Sequence, residues 1–154
     1  MLFLVCSSFC FAKQISFQIV QNNNFNGIRD EVYFLEDVLI SRFFEEGYIA
    51  TNLKASVADS IDYEKKLWKA CVESAEDGGA DYFVQVVMQF AESRNKIINQ
   101  KEMILDKIKY SITDIESLDC HEGIIDCGVV INNPKNLTVV SNKLANEIIS
   151  VLEG

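Results

Sequence analysis

Three residue types are scarce in this sequence. Proline, histidine and tryptophan each occur once in 154 residues. Hydrophobic residues make up 49% of the chain and charged residues 24%, as in an ordinary globular protein. Since a disordered chain has few apolar residues and a large net charge, this composition argues against disorder. The length fits one domain, which is large enough to fold without metal or disulfide bonds.

Basic residues are also scarce. Lysine and arginine number 14 against 23 aspartates and glutamates, which gives a formal net charge of −9. Lys65 and Lys66 form the only adjacent basic pair. Because nucleic-acid binding needs clustered lysines and arginines that displace phosphate counterions, the sequence argues against a DNA or RNA partner. An anionic membrane surface would repel the chain for the same reason.

Catalytic motifs are missing. The sequence contains no GxSxG, HExxH or GxGxxG pattern and no phosphate-binding loop. Acidic pairs such as Asp30-Glu31 and Glu45-Glu46 fall where a helix should face solvent, whereas a glycosidase needs two carboxyls in one cleft. The sequence therefore predicts no catalytic residue, no bound cofactor and no metal ligand, which indicates a protein that is not an enzyme.

The first twelve residues, MLFLVCSSFCFA, carry no charge and are mostly apolar. This run is too short to cross a bilayer as a helix, and it matches the apolar part of a signal peptide. Cleavage between Ala12 and Lys13 would place Cys10 at the −3 position. No lysine or arginine precedes the run, and two alternatives are a lipid-modified Cys6 or Cys10 and a buried first strand. We predict a signal-peptide remnant at 1–12 and a periplasmic or secreted domain at 13–154, with no transmembrane segment in the mature chain.

Hydrophobic periodicity predicts eight elements after this run. Apolar residues alternate with polar ones in strands and recur every three or four residues in amphipathic helices. The predicted strands are 14–21, 48–51, 82–90, 107–113 and 124–131, and the predicted helices are 28–46, 61–76 and a closing helix from Pro134. The order β-α-β-α-β-β-β-α predicts an α/β (α+β) fold, a two-layer sandwich of a mixed sheet with about three helices.

Four short stretches, in order along the chain, resemble a known family. They are EEGYI at 45–49, GADYFV at 79–84, YSITD at 110–114 and the carboxyl-terminal helix KLANEIISVLEG at 143–154. This pattern is similar to the amino-terminal domain of the periplasmic protein TolB, whose fold relatives include the LpoB activators of cell-wall synthases and the curli secretion protein CsgG. The resemblance implies a cell-envelope location and protein–protein binding without enzymatic activity.

The residues with metal-binding or nucleophilic side chains crowd into one short stretch. Cys120 and His121, the only histidine, are followed closely by Cys127. With a hairpin turn centred on Gly123-Ile124, the two cysteines would face each other across an antiparallel pair, so we predict a Cys120–Cys127 disulfide. Cys71, on the apolar stripe of a helix, should be a buried free thiol. The alternative is a metal-binding protein or small enzyme centred on Cys120, His121 and Cys127, although no CxxC pair is present.

Together these features predict the class of function. The expected protein is an exported, non-enzymatic protein–protein interaction module of the bacterial cell envelope, whose partners are envelope proteins. The alternatives are the extracytoplasmic metal-binding protein or enzyme described above and a structural subunit of an oligomeric envelope assembly.

Overall fold

The structure is a computed structural model that describes residues 12–22, 27–95, 100–130 and 134–154, with side chains omitted at 93–95 and 100–102. Eight elements follow one another along the chain. They are β1 (Gln14–Asn22), α1 (Asp30–Glu45), β2 (Ile49–Ala58), α2 (Ile61–Asp77), β3 (Tyr82–Asn95), β4 (Gln100–Asp114), β5 (Cys120–Val130) and α3 (Pro134–Glu153). The predicted class and element order are confirmed.

The five strands form one mixed sheet in the order β2-β1-β3-β4-β5. β1 lies at the centre of a parallel trio and pairs with β2 on one side and β3 on the other. α1 connects β1 to β2 and α2 connects β2 to β3, since parallel strands cannot be joined by a tight turn. β3, β4 and β5 form an antiparallel meander. β2 and β5 are therefore the two edges of the sheet.

The main core lies between the sheet and the layer formed by α1 and α3. Alternate residues of β1 and β3, among them Phe17 and Val86, are fully buried on this face. Phe43 of α1 meets the ring of Phe17 edge to face, with ring centroids 5.9 Å apart. The fully buried side chains of this core include Ile15, Ile19, Leu35, Leu39, Val84, Met88, Leu105, Ile108, Leu144 and Ile148.

In the described part of the chain, α2 is the one helix that covers the second face of the sheet. Cys71, Val72 and Ala75 of α2 pack with Phe83 of β3. The predicted two layers correspond to the sheet and the α1/α3 layer, and α2 adds a partial third layer. Because α2 packs on β1, β2 and β3, it leaves β4 and β5 uncovered on this face.

The strands are longer than the sequence predicts. β2 extends from Ile49 to Ala58 rather than ending at 51, and β5 begins at Cys120 rather than at 124. β3 and β4 also continue past the predicted ends. Residues 52–57 of β2 do alternate polar and apolar side chains, so this strand was predicted too short, whereas residues 120–123 of β5 show no such alternation. Hydrogen bonds to a neighbouring strand keep both segments extended.

Of the predicted signal segment, residues 1–12, the first eleven lie outside the described residues. Ala12 and Lys13, which flank the predicted cleavage site, are exposed just before β1. Lys13 donates a hydrogen bond from Nζ to the hydroxyl of Tyr82 at 2.8 Å, and the backbone N–H of Gln14 donates to Asp81 at 2.6 Å. Within the described ranges, none of the helices has the length and apolar character that crossing a membrane requires.

Ser141 of α3 is a buried hydroxyl that does not stabilise the fold. It is 0% exposed, and its Oγ has no hydrogen-bond partner among the described residues. Since an unpaired buried hydroxyl costs about 1–3 kcal/mol, we expect Ser141→Ala to raise the free energy of unfolding by about 1 kcal/mol. Thermal unfolding followed by circular dichroism measures this change. The exposed Ser150→Ala is the control, and a lower melting temperature for Ser141→Ala alone would contradict the prediction.

Candidate functional site

A cavity of about 710 Å³ opens where α2 leaves the sheet uncovered. One side is formed by the first half of α2, and the floor and other side by β3, β4 and β5. We call this cavity the α2–β5 groove. It is lined by Ile61, Glu64, Lys65, Trp68, Gln85, Val87, Lys109, Tyr110, Ser111, Cys120, Glu122, Gly123 and Ile124.

The walls of the groove are mainly apolar. Trp68 of α2 and Val87 of β3 form the inner part, and Val87 is only 3% exposed. Ile61 and Ile124 stand at opposite rims and are 65% and 63% exposed. Two large aliphatic side chains in water beside an apolar wall are unfavourable unless something covers them. The groove therefore has the character of a binding surface.

Four charged side chains border the groove, two of each sign. Lys65 and Glu64 belong to α2, Lys109 to β4 and Glu122 to β5. Within the described ranges, none of these four side chains forms an ion pair. One carboxylate oxygen of Glu64 is buried without a hydrogen-bond partner among those same residues. These charges are thus available to a ligand.

β5 forms the outer margin of the groove and is an edge of the sheet. It pairs regularly with β4 from Cys120, opposite Thr113, to Asp126, opposite Lys107. Beyond Asp126 the register shifts, and Gly128 takes a φ of +57°. Seven residues of β5 therefore present a straight outer edge whose backbone groups are not paired with another strand in the described structure.

Tyr110 fixes the middle of β5 to α3. It lies opposite Gly123 in the β4–β5 pairing, and a Cβ built on Gly123 would overlap its ring. The Tyr110 hydroxyl donates to the Glu147 carboxylate at 3.1 Å, and the ring stacks with His121 at a centroid distance of 6.5 Å. Burial, and then the hydrogen bond to Glu147, raises the pKa of Tyr110, so it stays protonated as a donor.

The predicted Cys120–Cys127 disulfide is wrong for this fold. The expected turn at Gly123-Ile124 is absent, and both cysteines lie in the single strand β5. Seven residues of extended strand separate their Cα atoms by about 23 Å, and a disulfide needs less than about 7 Å. Cys120 lines the groove, while Cys127 packs on the core of the α1/α3 side. Both are free thiols, as is the buried Cys71.

The alternative site centred on Cys120, His121 and Cys127 does not assemble either. His121 stacks with Tyr110 and so lies on the α3 side, away from the groove that Cys120 lines. In the part of the chain that the structure describes, no three histidine, cysteine or acidic side chains gather as metal ligands would. The three residues of the alternative therefore share a stretch of sequence but not a site.

The three described thiols should differ sharply in reactivity. Burial raises the pKa of Cys127 to about 11 and also raises the pKa of Cys71, whereas Cys120 is exposed. At pH 8 only about one Cys127 thiol in a thousand is then ionised, and the thiolate is the reactive form. We expect iodoacetamide to modify Cys120 first and the other two only after unfolding. Peptide mass mapping measures this order, and a Cys120–Cys127 crosslinked peptide would contradict it.

Sequence reasoning missed the groove. The alternation in β4 correctly placed Lys109 and Ser111 on a wet face, and the helical stripe correctly included Trp68. The groove exists because α2 does not extend over β4 and β5. The position of a helix on a sheet depends on tertiary packing, which local sequence patterns do not predict. The one local signal was Gly123, because a glycine within a strand often marks a close approach by another group.

Comparisons with known proteins establish the fold. The lipoprotein GNA1162 from Neisseria meningitidis is 11% identical, with a TM-score of 0.53 over 90% of this chain and 99% of that one. The PelC dodecamer from Paraburkholderia phytofirmans is 11% identical, with a TM-score of 0.49 over 90% and 86%. The hypothetical protein CT253 from Chlamydia trachomatis has a TM-score of 0.46 at 11% identity, over 94% and 97%. No match was found among curated proteins.

At 11% identity, the structural similarity to GNA1162 shows a shared fold and nothing about function. The finer resemblance to TolB, LpoB and CsgG is not confirmed by these comparisons. A family model with the description "Uncharacterised protein" matches residues 14–153, from the first residue of β1 to the last of α3, and the chain belongs to that family.

Proposed function

We propose that this protein is an exported, non-enzymatic interaction module of the bacterial cell envelope that binds a partner protein in the α2–β5 groove. One observation carries the proposal: an apolar groove lies beside a strand edge that is not paired in the described structure. Protein interfaces combine a desolvated apolar centre with a polar rim, and the groove has both. Trp68 and Val87 supply the centre, and the charged side chains supply the rim.

The envelope location is supported by two further observations. GNA1162, which shares the fold, is a lipoprotein. The sequence pattern that resembles the TolB amino-terminal domain implies the same compartment. Lys13 and Gln14 contact Tyr82 and Asp81, and a chain cleaved after Ala12 keeps both contacts.

Site-specific photocrosslinking in the native organism tests the binding surface. A photoreactive amino acid at Ile61 or Ile124 sits at either rim of the groove, and the matched control is Tyr33, which is 50% exposed on α1. We expect the same crosslinked protein from both rim positions and none from position 33. A product of twice the chain mass would identify a second copy as the partner. Equal crosslinking at all three positions, or none at the rim, would overturn the proposal.

Export makes a separate prediction. Amino-terminal sequencing of the protein purified from its native host should begin at Lys13, because cleavage follows Ala12. The cleaved chain keeps all its charged residues, since residues 1–12 contain none. Intact Met1 in the cytosolic fraction would contradict export, and an acylated cysteine would indicate a lipoprotein instead.

A further inference from the structure

The two edges of the sheet differ in how they resist pairing with another strand. Proteins protect edge strands with bulges, lysines or charges that obstruct a new neighbour. β2 has two of these features, because its register with β1 shifts between Leu53 and Ser56 and Lys54 lies within that irregularity. The side chain of Gln18 also donates to the Lys54 carbonyl at 3.1 Å. β2 is thus a protected edge.

Over its first seven residues β5 has neither a bulge nor a lysine, and its only charged side chains are the carboxylates of Glu122 and Asp126. From Cys120 to Asp126 its pairing with β4 is regular, and the irregularity comes only afterwards. No lysine, arginine or proline occurs anywhere in β5. Seven residues span about 23 Å, which is longer than a typical strand of five or six residues. β5 can therefore accept a whole additional strand.

The charge of this edge indicates what kind of strand would fit. Glu122 and Asp126 are its acidic residues, both are exposed, and the chain as a whole carries −9. Lys107 lies opposite Asp126 on β4, whereas Ser111 lies opposite Glu122 and leaves that carboxylate without a charged neighbour directly across. Ile124 shares a face with Glu122. An incoming strand would gain most from a basic residue opposite Glu122 and an apolar residue opposite Ile124.

We infer that the partner of the α2–β5 groove binds as an extended basic and apolar polypeptide segment, which adds a sixth strand to the sheet along residues 120–126 of β5. Backbone hydrogen bonds to the β5 edge supply affinity, as in other β-strand additions, and the alternating side chains supply specificity. The inference rests on the proposed function, since it specifies the chemistry of the partner in the same groove.

A synthetic nine-residue peptide of sequence KTVTKTVTK is the probe, because its lysines and valines follow each other two residues apart and therefore share the face that meets Glu122 and Ile124. We expect saturable binding by fluorescence anisotropy and slower hydrogen exchange within 120–126, with exchange in β2 unchanged. A fully N-methylated peptide of the same sequence keeps the charge but cannot form the backbone hydrogen bonds, so it should not bind. Glu122→Lys turns a favourable cross-strand pair into a like-charge pair and should weaken binding about tenfold.

Glu73→Lys on α2 is the matched control, because it makes the same change of charge at an exposed position outside the groove. Binding to this variant should stay within about twofold of the original. Equal weakening by both variants would reveal nonspecific charge attraction and overturn strand addition. So would binding of the N-methylated peptide or the absence of binding by the unmethylated KTVTKTVTK peptide. If the peptide experiments fail but Ile61 and Ile124 still crosslink to a partner, strand addition is wrong and the proposed function stands. If the crosslinking also fails, both the proposed function and strand addition are wrong.

Discussion

Val86→Asp should leave no soluble folded protein. Val86 is 0% exposed at the centre of β3, where its neighbours across the sheet are Ile19 of β1 and Tyr110 of β4. A carboxylate at this position is removed from water without an ion-pair partner. Such substitutions belong to the class that costs more than about 4–5 kcal/mol, a large part of the 5–15 kcal/mol by which a domain of this size is stable.

Two comparisons isolate the effect of the buried charge. Val139→Asp makes the same chemical change on α3, where the side chain is 69% exposed, and should shift the free energy of unfolding by no more than about 0.5 kcal/mol. Val86→Ala removes apolar contacts without adding a charge and should still fold. Soluble yield and urea unfolding measure all three variants. A Val86→Asp protein that unfolds at the same urea concentration as the original would show that β3 is not central.

The main core could be predicted from the sequence because its periodicity is strong. Val84, Val86 and Met88 recur at every second position, and Leu35, Leu39 and Phe43 recur at helical spacing, so the local pattern and the final packing agree. The outer strands were predicted less well. Residues 52–58 of β2 and 120–123 of β5 lie at the edges, where one side of each strand is free. Residues 52–57 alternate polar and apolar side chains, but the apolar ones are small or only partly buried, whereas 120–123 show no alternation.

The site was predicted least well, and the error can be traced to one glycine. Gly123 beside Ile124 was interpreted as a hairpin turn, which placed Cys120 opposite Cys127. The structure places Gly123 within a continuous strand, opposite an aromatic ring from β4. A glycine has two common roles in β-structure, at a turn and at a close approach, and the sequence alone does not distinguish them. The choice between them decided whether a disulfide or an open edge was expected.

Gly123→Ala tests the second role directly. The added Cβ would overlap the Tyr110 ring, so either the ring or the strand must move. Moving the ring also breaks the hydrogen bond from the Tyr110 hydroxyl to Glu147. Overpacking costs about 1–3 kcal/mol, and with the lost hydrogen bond we expect roughly 2–3 kcal/mol. For a domain of this length that lowers the melting temperature by roughly 5–10 °C.

A double-mutant cycle with Tyr110→Val separates this collision from the general effect of replacing a glycine. In a chain without the ring, the alanine Cβ has space, so Gly123→Ala should cost less than about 0.5 kcal/mol, and the coupling energy between the two positions should be about 2 kcal/mol. Tyr110→Phe keeps the ring and removes only the hydroxyl, so it measures the Glu147 hydrogen bond separately. If Gly123→Ala cost the same with and without Tyr110, the ring would not be the reason for a glycine at this position. β5 would then not be fixed to α3 through Tyr110, and the groove would lose the rigid margin that an added strand requires.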